Sequence, residues 1–404
     1  MPEDVELTIL MPCLNEAETL ETCIRKAQSG IAKAGVRGEV LIADNGSTDG
    51  SIEIAESLGA RVEKVVEKGY GNALRGGIEA ARGRWVLMGD SDDSYDFSNV
   101  GGFVDKLREG HELVMGCRLP AGGGTIAAGA MPWKNRWIGN PTLSFIGRLF
   151  FKTPIHDFHC GMRAFSKEGY RKMDLKTTGM EFASEMVMKA QLKGLKTAEV
   201  PITLHPDGRS RPPHLKPWRD GWRHLRFMLI YSPKWLFLVP GIVSFCLGLL
   251  GMALTVAGPL KLGAVTLDVG TMVIASLATL VGYQLVAQAF YAKVFAVGEG
   301  FLPNDATFSG LFRHWNLEKG LVAGVLLTLA GFALIGSAVW AWRDVNFGVL
   351  DPGANLRRLV PGATLTGLGL QTIFSSFHLS VLGLKTLGRK PPSNEAPASG
   401  TPRR

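Results

Sequence analysis

The chain has 404 residues, 46% apolar and 20% charged, with a formal net charge of +8. That length is too great for one ordinary domain and predicts two or three. The basic balance calls for anionic partners, but no nucleic-acid motif accompanies it, and the five cysteines show no paired spacing that would make a disulfide framework or a zinc ribbon.

In chain order, Met1-Pro2-Glu3-Asp4 is acidic, unlike the basic opening of a secretory signal, so the first half is expected to stay in the cytosol. Residues 5–11, 40–43, 61–66, 85–88 and 113–117 read as strands. Residues 16–33, 51–58, 71–82 and 99–108 read as helices between them. This alternation predicts an α/β domain with a mainly parallel sheet and helices on both faces. In such sheets ligands bind beyond the carboxyl ends of the strands. Asn15-Glu16, Asp44-Asn45-Gly46-Ser47 and the acidic run from Asp90 all fall at those ends.

The acidic run is the sharpest signal. Met88-Gly89-Asp90-Ser91-Asp92-Asp93-Ser94 follows the apolar Trp85-Val86-Leu87-Met88. Side chains alternate along extended backbone, so Asp90 and Asp92 project to one side where the strand leaves the core. Two carboxylates so placed repel unless a cation joins them, and hard oxygen ligands suit Mg²⁺ or Mn²⁺. An acidic turn capping the next helix is the plainer explanation.

Further along, residues 120–132 form a loop containing Gly122-Gly123-Gly124, flexible enough for a lid. His156-Asp157-Phe158-His159-Cys160 lacks the second ligand pair that a zinc site needs. Glu181 and Glu185 share one face of a predicted helix over 180–193, either as site acids or as an exposed acidic stripe. Residues 217–230 carry Trp218, Trp222 and Leu225 among Arg219, Arg223 and Arg226, the pattern of an amphipathic helix at a membrane surface. Four apolar stretches follow, at 235–257, 269–296, 320–342 and 359–384, each near the ~20 residues that cross a bilayer. The basic flank before the first span, and Lys385, Arg389 and Lys390 after the last, place both ends on the cytosolic side. Arg357-Arg358 is the exception, falling on the opposite side. The expected domains are therefore residues 1–204, a basic juxtamembrane segment 205–234, a four-helix membrane domain 235–388 and a disordered tail 389–404.

Taken together, Met11-Pro12-Cys13-Leu14-Asn15-Glu16, Asp44-Asn45-Gly46-Ser47-Thr48-Asp49-Gly50, Lys68-Gly69-Tyr70-Gly71 and Asp90-Ser91-Asp92 resemble the family-2 glycosyltransferases. Gly116-Cys117-Arg118, Arg136 and Asp157-Phe158-His159-Cys160-Gly161-Met162-Arg163 look like its polyprenyl-phosphate branch, which includes dolichyl-phosphate mannose and glucose synthases. The resemblance implies a nucleotide-diphosphosugar transferase domain over roughly residues 5–230. It places Pro12, Asn15 and Glu16 in the nucleotide pocket and Asp44 and Asn45 near base or ribose. Lys68 and Gly71 join them among the substrate contacts. It implies a metal on the donor diphosphate held by Asp90 and Asp92, with Ser94 where many relatives have Gln. Arg118, Arg136 and Arg211 suit phosphate oxygens, and Asp157 would orient the acceptor or the sugar.

The function expected from this is inverting, Mg²⁺- or Mn²⁺-dependent transfer of a hexose from a UDP- or GDP-sugar to a polyprenyl phosphate. The setting would be the cytosolic face of a cytoplasmic, inner membrane, in cell-envelope synthesis. Transfer to a lipid hydroxyl is the first alternative, and a lipid-sugar translocator with a degenerate binding domain the second. The partners are a nucleotide sugar, a polyprenyl phosphate lipid and the membrane. A homo-oligomer stays open, since small membrane anchors often associate.

Overall fold

The computed structural model describes residues 5–210, 217–300, 302 and 316–387. By internal contacts the chain forms two units, Met1–Met228 and Leu229–Arg404. The expected tail at 389–404, and Arg211 among the expected phosphate contacts, lie outside the described residues.

The first unit alternates β1 (Leu7–Cys13), α1 (Leu20–Lys33), β2 (Gly38–Asp44), α2 (Ser51–Ser57), β3 (Arg61–Lys64), α3 (Tyr70–Ala80), β4 (Trp85–Met88), α4 (Gly101–Arg108) and β5 (Leu113–Cys117). After β5 come β6 (Thr125–Ile126), α5 (Asn140–Phe151), β7 (Arg163–Ser166), α6 (Lys167–Met173), α7 (Phe182–Leu192), β8 (Thr197–Pro201), β9 (Thr203–Leu204) and α8 (Pro217–Ile230). Seven strands form one sheet in the order β3-β2-β1-β4-β7-β5-β8. β7 runs antiparallel to both neighbours, and every other pairing in the sheet is parallel. The central strands are continuous apolar runs because helices cover both faces: Leu7, Ile9, Leu10 and Met11 are all fully buried.

At two boundaries the difference from expectation has a clear local reason. β1 runs on to Cys13, through Pro12, which a central strand rarely tolerates. β4 has already left at the Leu10–Met88 pair. The edge that Pro12 presents on that side is therefore open, and its carbonyl accepts the Ser91 hydroxyl at 2.8 Å. α1 begins at Leu20 because residues 14–19 turn first, with Asn15 at φ 60°, a conformation that Asn adopts more readily than most. The expected lid is also partly pinned, since β6 pairs in parallel with β9.

The second unit holds α9 (Val239–Val256), entered through a π-turn at Lys234–Leu238, then the hairpin β10 (Leu260–Leu262) and β11 (Val265–Leu267). α10 (Val269–Gly298), α11 (Leu317–Asp344) and α12 (Pro352–Leu387) follow. Among the described residues, four helices are long and apolar enough to cross a membrane: Lys234–Val256, Val269–Gly298, Leu317–Asp344 and Pro352–Gly383. Hydroxyl pairs tie α10 to α12, Ser276 to Thr364 at 2.6 Å and Tyr283 to Thr372 at 2.8 Å, as apolar surroundings favour. The anomalous Arg357 has partners: it pairs with Asp268, the N-cap of α10, and donates to the Thr255 carbonyl at 3.2 Å.

Candidate active site

Strand order reverses at β1, which has β2 on one side and β4 on the other. A crevice opens beyond the carboxyl ends at such a switch point. β1 leads there into Asn15 and Glu16, β2 into Asp44 and Asn45, and β4 into Asp90 and Asp92.

The β2 side of this crevice is built by side chains that hold loops. The Asp44 carboxylate accepts the N–H groups of Gly46 at 2.9 Å and Ser47 at 3.1 Å. Asn45 donates to the carbonyls of Val65 and Glu67 at 3.0 and 2.8 Å and accepts Gly69 N–H at 2.8 Å. Its amide is thus a clamp on residues 65–69. Lys68 Nζ donates to the Asn45 carbonyl at 2.6 Å. Gly71 is likewise structural: its N–H donates to Thr178 O at 3.0 Å, and a Cβ there would lie 2.7 Å from the Thr178 carbonyl carbon. Asn15 ties the facing loop through Thr48 N–H, accepted at 2.8 Å.

On the β4 side the two acids have different surroundings. Asp90 accepts the Tyr70 hydroxyl at 3.1 Å. Burial, followed by the neighbouring Asp92 charge, raises its pKa to about 6. Asp92 accepts the Ser94 backbone N–H at 3.1 Å and the Ser94 hydroxyl at 2.5 Å through one oxygen. Ser94, expected among the metal ligands, thus holds Asp92 through both its N–H and its hydroxyl. The other Asp92 oxygen meets Arg209 Nη2 at 2.6 Å, and Arg209 Nη1 lies 3.1 Å from Glu16. Arg209 arrives on a strap over the acidic loop, where His205 N–H donates to Ser94 O and Gly208 N–H to Asp92 O. Ser210 fixes its far end on the Glu18 carboxylate at 2.7 and 2.6 Å.

The chemistry of these donors fits a hard divalent cation: both acids offer oxygen, they repel one another, and a guanidinium is already drawn to one. Asp90 and Asp92 would hold it. Among the described residues no group of three or more His, Cys, Asp or Glu side chains forms a metal nest. The remaining ligands would be diphosphate oxygens and water.

A second cluster surrounds Asp157, which is fully buried. It binds Arg118 in a bidentate pair, Nε at 2.7 Å and Nη2 at 2.9 Å, and also accepts Arg118 N–H at 3.0 Å. Burial opposes the Arg118 charge, but Asp157 holds the guanidinium firmly protonated. Asp157 is thus a partner of Arg118, and Arg118 keeps both Nη1 hydrogens and one on Nη2 for other contacts. Glu199 on β8 sets this geometry by accepting the N–H groups of His156 and Asp157 at 2.7 and 3.0 Å and pairing with the His156 ring at 2.7 Å. Arg136 differs: it makes no ion pair among the described residues, and its guanidinium carbon lies 5.4 Å from the Trp137 ring centroid. Glu185 is neither a site acid nor an exposed one. It is fully buried, paired with Lys189 at 2.8 Å, and caps the N–H groups of Lys176 and Thr177.

Arg209, Tyr70 and Glu199 are the residues that sequence reasoning passed over. Arg209 was legible only as one member of a basic run, and Glu199 sits in an unremarkable strand.

Residues 8–174 match the model for glycosyl transferase family 2, and residues 290–383 the one for the glycosyltransferase family 2 C-terminal transmembrane region. The chain is 36% identical over 380 residues to the low-salt glycan biosynthesis hexosyltransferase Agl6 of Haloferax volcanii, spanning 93% of this chain and 89% of that protein. It is 32% identical over 167 residues to a dolichyl-phosphate hexose transferase of the same organism, spanning 41% of this chain and 69% of that one. Among solved structures, glucosyl-3-phosphoglycerate synthase from Mycobacterium tuberculosis, with Mn²⁺, UDP and glucosyl-3-phosphoglycerate, superposes with a TM-score of 0.44 at 22% identity. That match covers 56% of this chain and 80% of the other.

Proposed function

The chain belongs to glycosyltransferase family 2, and from that premise we propose that it moves one hexose from a UDP- or GDP-sugar to a polyprenyl phosphate. Inversion at the anomeric carbon follows from attack opposite the leaving diphosphate. The observation that carries the donor half is the Asp90–Asp92 pair at the β1/β4 switch point, with a cationic group already on Asp92. A divalent cation bound there would neutralise the charge that develops on the departing diphosphate. Arg209, beside the same carboxylate, offers a second positive charge to that diphosphate.

The acceptor half is supported by the lie of the basic side chains and by likeness to a dolichyl-phosphate hexose transferase. A lipid monophosphate is largely ionised at neutral pH, its second pKa being near ~6, and needs positioning rather than a base. Arg136, with no carboxylate partner among the described residues, is suited to bind it, and Arg118 Nη1 to assist. A lipid hydroxyl would need a general base. Asp157, which a hydroxyl acceptor would call on as base, is locked on Arg118, which favours the phosphate acceptor. The basic flank of the first span supports a catalytic unit facing the cytosol at the inner membrane.

The test is purified full-length protein with Mg²⁺, radiolabelled sugar nucleotide and polyprenyl phosphate. An organic-soluble, acid-labile product is expected, and Asp92→Ala should abolish it while leaving the protein folded. Label found only on protein or polysaccharide would rule out the lipid acceptor.

A further inference from the structure

The connection between α11 and α12 folds back on the helix that leads into it. Asn346 and Phe347 follow one another at φ 54° and 60°, the left-handed region that a bulky side chain seldom occupies. Contacts with Trp342 hold them there. Phe347 N–H donates to the Trp342 carbonyl at 2.9 Å, and the two rings meet edge to face at 5.0 Å. The Trp342 indole N–H donates to Gly348 O at 3.1 Å. Backbone kept in a costly conformation by several contacts is a mark of ligand clamps.

The fold-back encloses a cavity of about 320 Å³, within the ~300–1,000 Å³ of small-molecule sites. Ala338, Val339 and Trp342 of α11, Leu350 of the connection and Leu359 of α12 give it apolar walls, with Asn355 set among them. Asn355 Oδ1 is buried and has no hydrogen-bond partner among the described residues. Water is a poor occupant, since a buried water typically makes about three hydrogen bonds and the walls offer one unpartnered side-chain acceptor. A hydrocarbon chain suits the walls, and a hydroxyl donor would satisfy Asn355.

Charge beside the cavity supplies the rest of the ligand. The adjacent arginines that break the charge pattern of the spans have separate fates. Arg357 is turned inward onto Asp268 and the Thr255 carbonyl. Arg358, one turn beyond Asn355 on the same side of α12, is exposed and has no carboxylate partner among the described residues. Trp340 is 62% exposed with the Arg343 guanidinium 5.0 Å from its ring centroid, a pairing that belongs at headgroup level. We infer that this cavity binds one anionic membrane lipid whose headgroup carries a hydroxyl. A chain lies against Val339, Leu350 and Leu359, the phosphate meets Arg358, and the hydroxyl donates to Asn355 Oδ1. The site is built wholly from the second unit, separate from the residues assigned to the sugar donor and its acceptor.

Native mass spectrometry of the full-length protein in detergent, titrated with defined lipids, reads the site without any assay of transfer. Wild type should retain one phosphatidylglycerol per chain at a concentration roughly tenfold below that needed for phosphatidylcholine, as one charged contact allows. Arg358→Gln should erase that preference. Asn355→Leu should bring phosphatidylglycerol down to the level of phosphatidylmethanol, which has the same charge and no hydroxyl. Val339→Trp, at an exposed position on the cavity wall, should reduce retention of all three lipids. Thermal unfolding of each lipid-stripped variant separates lost binding from lost fold. Equal retention of phosphatidylglycerol and phosphatidylcholine by wild type would overturn the inference, as would an Arg358→Gln protein that keeps the preference. Displacement of the lipid by glycerol phosphate alone would also overturn it, making the site one for a soluble anion.

Discussion

The Arg209 guanidinium lies 2.6 Å from the Asp92 carboxylate and 3.1 Å from Glu16, so the acid best placed to take a metal already holds a cation of the chain itself. A charge-assisted pair at this distance competes for the oxygen that a divalent ion needs. Arg209→Gln should therefore tighten Mn²⁺ binding in the absence of nucleotide by roughly tenfold, about 1.4 kcal/mol. The same substitution should weaken nucleotide-sugar binding, because a charge facing the diphosphate is gone. Titration calorimetry with each ligand separates the two. Unchanged Mn²⁺ affinity would show that the guanidinium does not compete.

Arg118 and Arg136 should part company under mutation. Removing one member of a buried, bidentate pair leaves an uncompensated charge, at about 3–5 kcal/mol. Asp157→Ala should thus lower the melting temperature sharply by stranding Arg118, and lost activity would follow from lost fold. Arg136 has no ion pair to lose among the described residues, so Arg136→Ala should stay within about 0.5 kcal/mol of wild-type stability. Its transfer rate should still fall by tenfold or more, the loss of a charged hydrogen bond being about 1.5–3 kcal/mol. Equal stability losses in the two variants would contradict this division.

The parallel sheet was legible because β1, β2, β4 and β5 each carry an apolar run that leads into polar residues, and the switch-point rule then located the crevice. Pairing order was not, since nothing local in Arg163–Ser166 announces an antiparallel strand between β4 and β5. Residue types at the site were legible, but their partners were not. Asn45 and Gly71 belong to the expected motifs, yet their contacts come from residues 65–69 and 178. Arg209 reaches Asp92 across 117 residues of chain.

Gly71→Ala tests whether this glycine serves backbone approach rather than ligand contact. The added methyl would meet the Thr178 carbonyl carbon at 2.7 Å and the Thr177 oxygen at 2.8 Å, both backbone atoms that cannot rotate aside. Overpacking of this kind costs about 1–3 kcal/mol. Thermal unfolding should show that loss. Wild-type stability combined with a raised KM for the sugar nucleotide would return Gly71 to the ligand pocket.

Acid sensitivity should come from a buried histidine pair behind the site. The His159 and His224 rings lie 4.8 Å apart, and His224 Nδ1 is 2.8 Å from the Ser184 hydroxyl. Burial pushes both pKa values below the ordinary 6.5; for His159 the His224 charge comes next, with Arg118 and Arg163 acting the same way on it. For His224, Glu181 and Asp220 pull the other way, against Arg163 and Arg223. In the unfolded chain both rings take up protons as pH falls through about 6.5, while the folded rings stay neutral to lower pH. The unfolded state then binds more protons, so stability is full above about pH 6.5 and falls as pH drops below it, by up to about 1.4 kcal/mol per pH unit for each ring. His224→Gln keeps a side chain able to bond Ser184 but removes one of the two titrations. Urea unfolding of the full-length protein in detergent between pH 7.5 and 5 (range chosen to bracket the ~6.5 of free histidine) should give a shallower decline for the variant. An identical decline would place the acid sensitivity elsewhere in the chain.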